Sequence, residues 1–311
     1  MDAGLEILRD APGVDYIELP QHALDLMEHL PSADAIIVRM TKITLEVVAA
    51  APNLKIVARH GVGYEAVDVP ALTAKGIPLA LVGNVNALAV AEHTLAMMLA
   101  VAKKFLPYDA ATRAGNFGIS DTFSATELSG KTILLAGFGR IGQEVAQRCN
   151  AFGMTVLISD PFVQAATVEA AGYQFAGDFK AALPDADWVS IHIPKTPETE
   201  NFIAAPEMAA MKAGAYLVNV SRGGMVDEGA LYNALKSGHL RGAALDVFDP
   251  EPPEAGNPLF ELDNLLVSPH CGAFTEECAQ RMSSACANNV LAAFEGRLDP
   301  ALVVNKEVLE E

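Results

Sequence analysis

Short apolar runs alternate with amphipathic stretches along most of this chain. From residue 132 onward, β-branched and aliphatic runs recur at 132–136, 155–159, 188–193, 216–220, 243–248 and 265–268. Between them lie helical patterns such as IGQEVAQRC and DEGALYNALKSGHL, the second closed by Gly238 as a C-terminal cap. Strand and helix in strict alternation predict an α/β fold with a doubly wound parallel sheet. The first part of the chain reads as a second, smaller α/β unit with strands at 14–19, 35–38, 55–58 and 78–82. A long apolar helix over 87–105 leads into the middle of the chain, and another over 275–294 runs back from it. The simplest arrangement is a discontinuous domain of residues 1–90 and 277–311, a second domain of residues 91–276, and a cleft between them. The chain opens almost directly on a helical pattern, with no apolar strand before it.

Composition narrows the class. At 311 residues the chain exceeds one ordinary core, which agrees with two domains. The start, MDAGLEILRD, lacks the basic and apolar regions of a secretory signal. The longest apolar stretch, LAMMLAVA, lies between His93 and Lys103-Lys104 and is too short to span a bilayer, so a cytoplasmic protein is expected. A formal net charge of -18 argues against nucleic acid and anionic membranes as partners and is compatible with a salt-rich habitat. The four cysteines, Cys149, Cys271, Cys278 and Cys286, make no C-x-x-C pair, so reduced thiols and no metal site are expected.

The chemistry-bearing residues sit where the predicted strands end. Gly137-Phe138-Gly139-Arg140-Ile141-Gly142 follows the run TILLA and opens a helix. Its glycines permit a tight turn, close approach of a pyrophosphate and close helix packing. Asp160 closes the next strand, where an acid accepts from the ribose hydroxyls of a dinucleotide. Pro161 and Phe162 follow, with no arginine to hold a 2′-phosphate, so NAD is favoured over NADP. His192-Ile193-Pro194 ends another strand and reads equally as a cofactor wall or as a plain exit into the loop with Thr196 and Thr199. Arg222, Glu251 and His270 each follow an apolar run. Singly, each is an unremarkable loop residue. Together, at the ends of strands of one sheet, they supply a fixed cation, a carboxylate and a proton carrier.

The chain resembles the D-isomer-specific 2-hydroxyacid dehydrogenases, the group that includes phosphoglycerate dehydrogenases and hydroxypyruvate and glyoxylate reductases. The resemblance covers nearly the whole chain, through ARHGVGYEAVDV, NALAVAEHTL, ATELSGKTILLAGFGRIG, NVSRGGMVDEGAL, GAALDVFDPEP and SPHCG. It implies a Rossmann domain, a smaller flavodoxin-like substrate domain, and NAD-dependent exchange of a hydride with a small D-2-hydroxy acid or its 2-keto acid. It also implies that Arg222 binds the substrate carboxylate and polarises the keto oxygen. By the same likeness His270 is the acid in reduction and the base in oxidation. Glu251 orients His270 and favours its charged form. Gly61, Val62 and Gly63 would offer backbone N–H groups to the carboxylate. The cofactor set so implied is Gly137, Gly139, Arg140, Ile141, Gly142, Asp160, His192, Pro194, Thr199, Val220, Ser221, Asp246, His270 and Gly272, with Asp246 near the nicotinamide carboxamide.

Departures from the family pattern fall at Cys271, where an aliphatic residue is usual, at Phe274, and at Leu81-Val82-Gly83 in place of Asn-Thr-Pro. The family's first strand is missing ahead of the opening helix, which suggests a truncated start, and no regulatory module is expected after the returning helix. Arg39, Arg59 and His60 serve either a second anionic group of the substrate or ordinary packing. Two other readings stand beside the main one: a true 3-phosphoglycerate dehydrogenase, and an NAD-binding corepressor that docks on proteins. A homodimer is expected. Phe105, Tyr108, Phe117 and Phe123 lie on the segment that crosses the two-fold axis in relatives, though a lid over the same chain is the other use for it.

Overall fold

The computed structural model describes residues 2–20, 25–122 and 124–309. Two compact units are present: Met1–Asn86 with Phe274–Glu311, and Ala87–Ala273. The first holds a parallel sheet of three strands in the order β1 (Ala35–Val38), β2 (Ile56–Arg59) and β3 (Leu79–Leu81). Ile56, Val57 and Ala58 of the central strand are fully buried, partly under the helix Glu276–Phe294, on which the helix Asp2–Asp10 packs in turn. That crossing is close, since a Cβ on Gly4 would overlap Ser283. Asn305 ties the tail to β3, accepting from the Leu79 N–H at 2.8 Å and donating to the Ile77 carbonyl at 2.9 Å.

The strand expected over 14–19 is absent. The segment carries apolar residues at 14, 16, 17 and 19 but has no ladder partner among the described residues, and Ile17 is left 62% exposed. Alternation describes a side-chain pattern; a strand also requires a hydrogen-bonding partner.

The second unit is built on seven parallel strands: β4 (Thr132–Ala136), β5 (Thr155–Ser159), β6 (Gln174–Phe175), β7 (Trp188–Ile191), β8 (Ala215–Asn219), β9 (Leu240–Leu245) and β10 (Leu265–Val267). Their order is β10-β9-β8-β7-β4-β5-β6. This is the doubly wound Rossmann arrangement, and the winding reverses between β4 and β7. The central strands are apolar on both faces because helices cover both. Ile133 and Leu135 pack into one buried layer and Leu134 and Ala136 into the other. Trp188 stacks on Tyr216 across neighbouring strands, with ring centroids 4.1 Å apart.

The helix expected over 87–105 stops at Ala102, and a second runs from Phe105 to Arg113. Lys104 between them is left-handed, with φ 53°. Pro107 accounts for the break. A proline has no N–H to donate and is accommodated in the first turn of a helix rather than in its interior, so the chain restarts just before it. Phe105 and Phe117 are exposed, Tyr108 is half-buried with its hydroxyl 3.2 Å from Ser124 Oγ, and Phe123 lies outside the described residues. No helix among the described residues is long and apolar enough to cross a membrane.

Candidate active site

Gly137, Asp160, His192, Val220, Ser221, Arg222 and Asp246 lie at or just past the carboxyl ends of parallel strands, and Glu251 and His270 on the loops that follow β9 and β10, where ligands of open α/β sheets bind. At the reversal point the backbone is crowded by design. Gly137 has φ +100° and a Cβ there would lie 2.5 Å from the His192 carbonyl oxygen, while one on Gly142 would collide with the carbonyl of Gly137. Gly139 has open space around it instead and caps the helix Arg140–Ala151 without offering a side-chain acceptor. A helix N-terminus of this kind, approachable at a glycine and uncapped by the protein's own oxygen atoms, suits an anion such as a pyrophosphate. Arg140 is exposed beside it and Ile141 half-buried.

Asp160 follows β5 directly. Its carboxylate accepts from the Phe138 N–H and the Phe162 N–H, both at 2.8 Å, so it braces the glycine turn from the neighbouring strand. His192 sits at the end of β7 with Nε2 2.9 Å from Ser190 Oγ and Nδ1 buried without a partner. Burial pushes its pKa down to about 3, so the ring is neutral at physiological pH. The Thr199 hydroxyl donates to the Pro194 carbonyl at 2.8 Å, closing the loop beyond. Ser221 Oγ donates to the Ile191 carbonyl at 2.5 Å, and Val220 is buried.

The trio comes from three adjacent strands. Past β10, His270 Nδ1 lies 2.5 Å from Glu251 Oε1. A ring nitrogen that close to a carboxylate oxygen carries the proton, which leaves Nε2 as the nitrogen free to exchange one. Arg222 follows β8; its Nη1 donates to the Ser221 carbonyl at 2.6 Å, and its own carbonyl accepts from Asn219 Nδ2 at 2.8 Å. The turn behind it is tight, because a Cβ on Gly223 would overlap the Phe248 carbonyl. That contact locks the loop after β8 against the loop that leads to Glu251.

Asp246, at 1% exposure, is turned into the loop that carries His270. Its backbone carbonyl accepts from the His270 N–H at 2.7 Å. One carboxylate oxygen accepts from Ser268 Oγ at 2.5 Å and the Cys271 N–H at 2.9 Å, the other from the Gly272 N–H at 2.9 Å. Burial pushes its pKa up, but donation from His93, Ser268 and those two N–H groups outweighs this and holds it below the usual carboxylate range. His270 itself has φ +52°, an uncommon conformation for a residue with a side chain, and Asp246 is what restrains it. Asp246 therefore acts on His270 through the backbone. His93, whose Nε2 is 3.0 Å from Ser268 Oγ, and Asn219 belong to the same scaffold, and neither stood out in the sequence. His93 lies in an apolar helical run and Asn219 closes an apolar strand, so the only signal was a polar residue at a buried position.

In the first unit, Gly61 has φ +144° within the turn Gly61-Val62-Gly63. Arg59 organises that turn, donating to the Gly63 carbonyl at 2.7 Å and the His60 carbonyl at 2.6 Å. Arg39 lies 4.5 Å above the Phe274 ring. The His60 ring is buried, and burial together with Arg39 and Arg59 lowers its pKa.

Comparison with known proteins agrees with this geometry. Residues 95–272 match the family model described as D-isomer specific 2-hydroxyacid dehydrogenase, NAD binding domain. The D-3-phosphoglycerate dehydrogenase of Mycobacterium leprae is 43% identical over 308 residues, covering 97% of this chain and 58% of that protein. The chain thus spans little more than half the length of such relatives. The glyoxylate reductase of Thermococcus litoralis is 38% identical over 291 residues, covering 91% of this chain and 87% of the reductase. Among solved structures, the TT0316 protein from Thermus thermophilus superposes with a TM-score of 0.88 at 36% identity, covering 97% of this chain and 96% of that one.

Proposed function

Because this chain belongs to the D-isomer specific 2-hydroxyacid dehydrogenases, a family of NAD-dependent oxidoreductases, we propose that it interconverts a small D-2-hydroxy acid and its 2-keto acid, of the hydroxypyruvate or glyoxylate type. The observation that carries this reading is the 2.5 Å contact between His270 Nδ1 and Glu251 Oε1, with Arg222 past the end of a strand of the same sheet. Arg222 binds the substrate carboxylate, for which a planar guanidinium is suited. His270 gives a proton to the keto oxygen from Nε2 in reduction and removes it in oxidation. Glu251 holds the imidazole in the tautomer and orientation this requires. The turn Gly61-Val62-Gly63 is, on this reading, a substrate-binding element of the first unit.

NAD, when bound, supplies or accepts the hydride. The residues that would hold it are Gly137, Gly139, Arg140, Ile141 and Gly142 of the glycine turn, Asp160, the wall of His192, Pro194, Thr199, Val220 and Ser221, and His270 and Gly272 with Asp246, which braces their loop. Gly137, Gly139 and Gly142 fit this role for the steric reasons given above.

The test is loss of NADH absorbance with hydroxypyruvate, glyoxylate, phosphohydroxypyruvate and sulfopyruvate, one at a time. Turnover with the first two supports the proposal, and no turnover with any of the four overturns it. A second reading, 3-phosphoglycerate dehydrogenase, is favoured by the 43% identity to the mycobacterial enzyme; a clear preference for phosphohydroxypyruvate in that panel would select it. We further propose that the enzyme is cytoplasmic and a homodimer. Support for the dimer comes from Phe105, Leu106 and Phe117, exposed at 58%, 61% and 78% on one short segment; light scattering at a monomer mass would refute it.

A further inference from the structure

The loop that carries His270 brings together three side chains that the sequence keeps far apart. His93 comes from the helix Ala87–Ala102, Asp246 from the end of β9, and Cys271 follows His270. One donor atom from each, the imidazole nitrogen, a carboxylate oxygen and the thiol sulfur, lies within 4.8 Å of the other two. His93 Nε2 and Asp246 Oδ1 are 3.4 Å apart. A tetrahedral zinc ion, bonded at about 2.0–2.1 Å to nitrogen and oxygen and about 2.3 Å to sulfur, sets its ligand atoms roughly 3.3–3.6 Å apart. The His93–Asp246 pair already has that spacing, and a sulfur within 4.8 Å of both closes the set with a shift of at most about 1 Å.

We propose that His93, Asp246 and Cys271 form a binding site for a soft divalent cation of the zinc class, and that filling it inhibits the enzyme. The donor set is chemically suited. Thiolate, imidazole and carboxylate are the three ligand types zinc takes in proteins, and a water completes the four. Binding forms bonds from the metal to the His93 nitrogen, an Asp246 oxygen and the Cys271 sulfur. The thiol gives up its proton to solvent, the proton with which the His93 nitrogen donates to Asp246 passes to the other ring nitrogen, and all but one of the metal's own bound waters leave. Cys271 is half-buried and the His93 side chain is 22% exposed, so an ion can reach them. Three of the four Asp246 contacts described above hold the backbone of residues 270–272. An ion that takes a carboxylate oxygen and the side chain of Cys271 competes with the two carboxylate contacts of that bracing, to the Cys271 and Gly272 N–H groups, and so disturbs the loop next to His270. His270 would then lose its fixed position. Inhibition rests on the role proposed for His270; metal binding does not.

The experiment uses the whole chain, first stripped of metal by a chelator, and two probes. Cadmium is added while the thiolate-to-cadmium absorption band in the ultraviolet is followed, and zinc is added while keto-acid reduction is assayed. One equivalent of cadmium is expected to produce the band in the parent protein, and Cys271→Ser is expected to remove it, although Cys149, Cys278 and Cys286 remain. His93→Gln should weaken cadmium binding by at least about tenfold, since the loss of even an outer-shell partner typically costs 10–100-fold. Cys271→Ser should become resistant to zinc, read as the fraction of its own zinc-free rate that zinc removes, with its unfolding midpoint confirming the fold and Cys271→Ala as a second variant. The site is overturned if no band forms in the parent protein or if the band survives in Cys271→Ser. If the band behaves as expected and no keto acid is turned over by the parent protein, the site stands and the proposed function fails. If zinc inhibits Cys271→Ser and the parent equally, the inhibitory role is wrong even where binding is confirmed.

Discussion

His270 and Glu251 form a contact short enough that removing either partner has a different consequence. With His270 as the proposed proton carrier, His270→Ala should lower kcat by ~10²–10⁴-fold while NADH affinity, read by fluorescence titration, changes little. Equal losses in both would show that His270 is structural. Glu251 acts through His270, so Glu251→Gln should lower kcat by a smaller factor at nearly constant KM, and Glu251→Asp should restore part of the loss. A rise in KM with kcat intact would place Glu251 on the substrate instead. In the proposed reading Asp160 belongs to the cofactor side of the site. Its carboxylate braces the N–H of Phe138 in the glycine turn, and hydrogen bonds to a charged group are worth about 1.5–3 kcal/mol. Asp160→Ala should therefore weaken NADH by roughly ten- to a hundredfold with the keto-acid KM unchanged, and unaltered NADH affinity would remove Asp160 from the cofactor set. These residues were legible in the sequence because each follows an apolar run, and a polar residue after a buried strand is in the right place to meet a ligand. The scaffold behind them was not. His93 and Ser268 meet Asp246 only through the fold, and a histidine inside an apolar helix reads as packing until its partner is seen.

Elements position these side chains through a few unforgiving backbone contacts, and two glycines separate tight approach from simple turn chemistry. A Cβ on Gly223 would overlap the Phe248 carbonyl, so Gly223→Ala must push the loop after β8 away from the one that leads to Glu251. The expected result is a loss of about 1–3 kcal/mol in unfolding free energy and a fall in kcat/KM for the keto acid, with NADH binding retained. Gly238, at φ +75°, has nothing within 4 Å of where a Cβ would stand. Gly238→Ala should therefore cost only the left-handed conformation, roughly 1 kcal/mol, with activity unchanged. Denaturant melts with parallel assays distinguish the two, and equal activity losses would mean that the Gly223 contact does not align the site. The same distinction explains which elements could be read in advance. Strands with buried neighbours on both sides, such as β4 and β7, carry an unbroken apolar signal. The two residues of β6 are too few to produce one, and residues 14–19 have the pattern of a strand without a partner. The interruption at Lys104 was also legible in principle, from Pro107, but the apolar run on its N-terminal side outweighs that single residue in any reading by periodicity.

For the molecule as a whole, the dominant quantity is charge: 39 acidic against 21 basic side chains. Such an excess repels itself and repels an anionic substrate before any local contact forms. The two effects respond to salt in the same direction. At about 0.01 M the screening length is roughly 30 Å and most of the surface charge acts together, whereas at about 0.15 M it is roughly 8 Å and only neighbours interact. The thermal midpoint should accordingly rise between those concentrations as self-repulsion is screened. Substrate capture is the sharper test, because it opposes a long-range repulsion to a short-range attraction. In the proposed reading Arg222 would meet the substrate carboxylate at hydrogen-bonding distance, where screening is weak, while the acidic surface acts over tens of ångströms, where screening is strong. Over the same range kcat/KM for an anionic keto acid should therefore increase with sodium chloride, chiefly through KM, with kcat nearly constant. A decrease would mean that the field a substrate meets is set locally by Arg222 rather than by the net charge. The salt series thus measures whether the cations of the site are a local exception to the acidic surface or the field that an approaching substrate responds to.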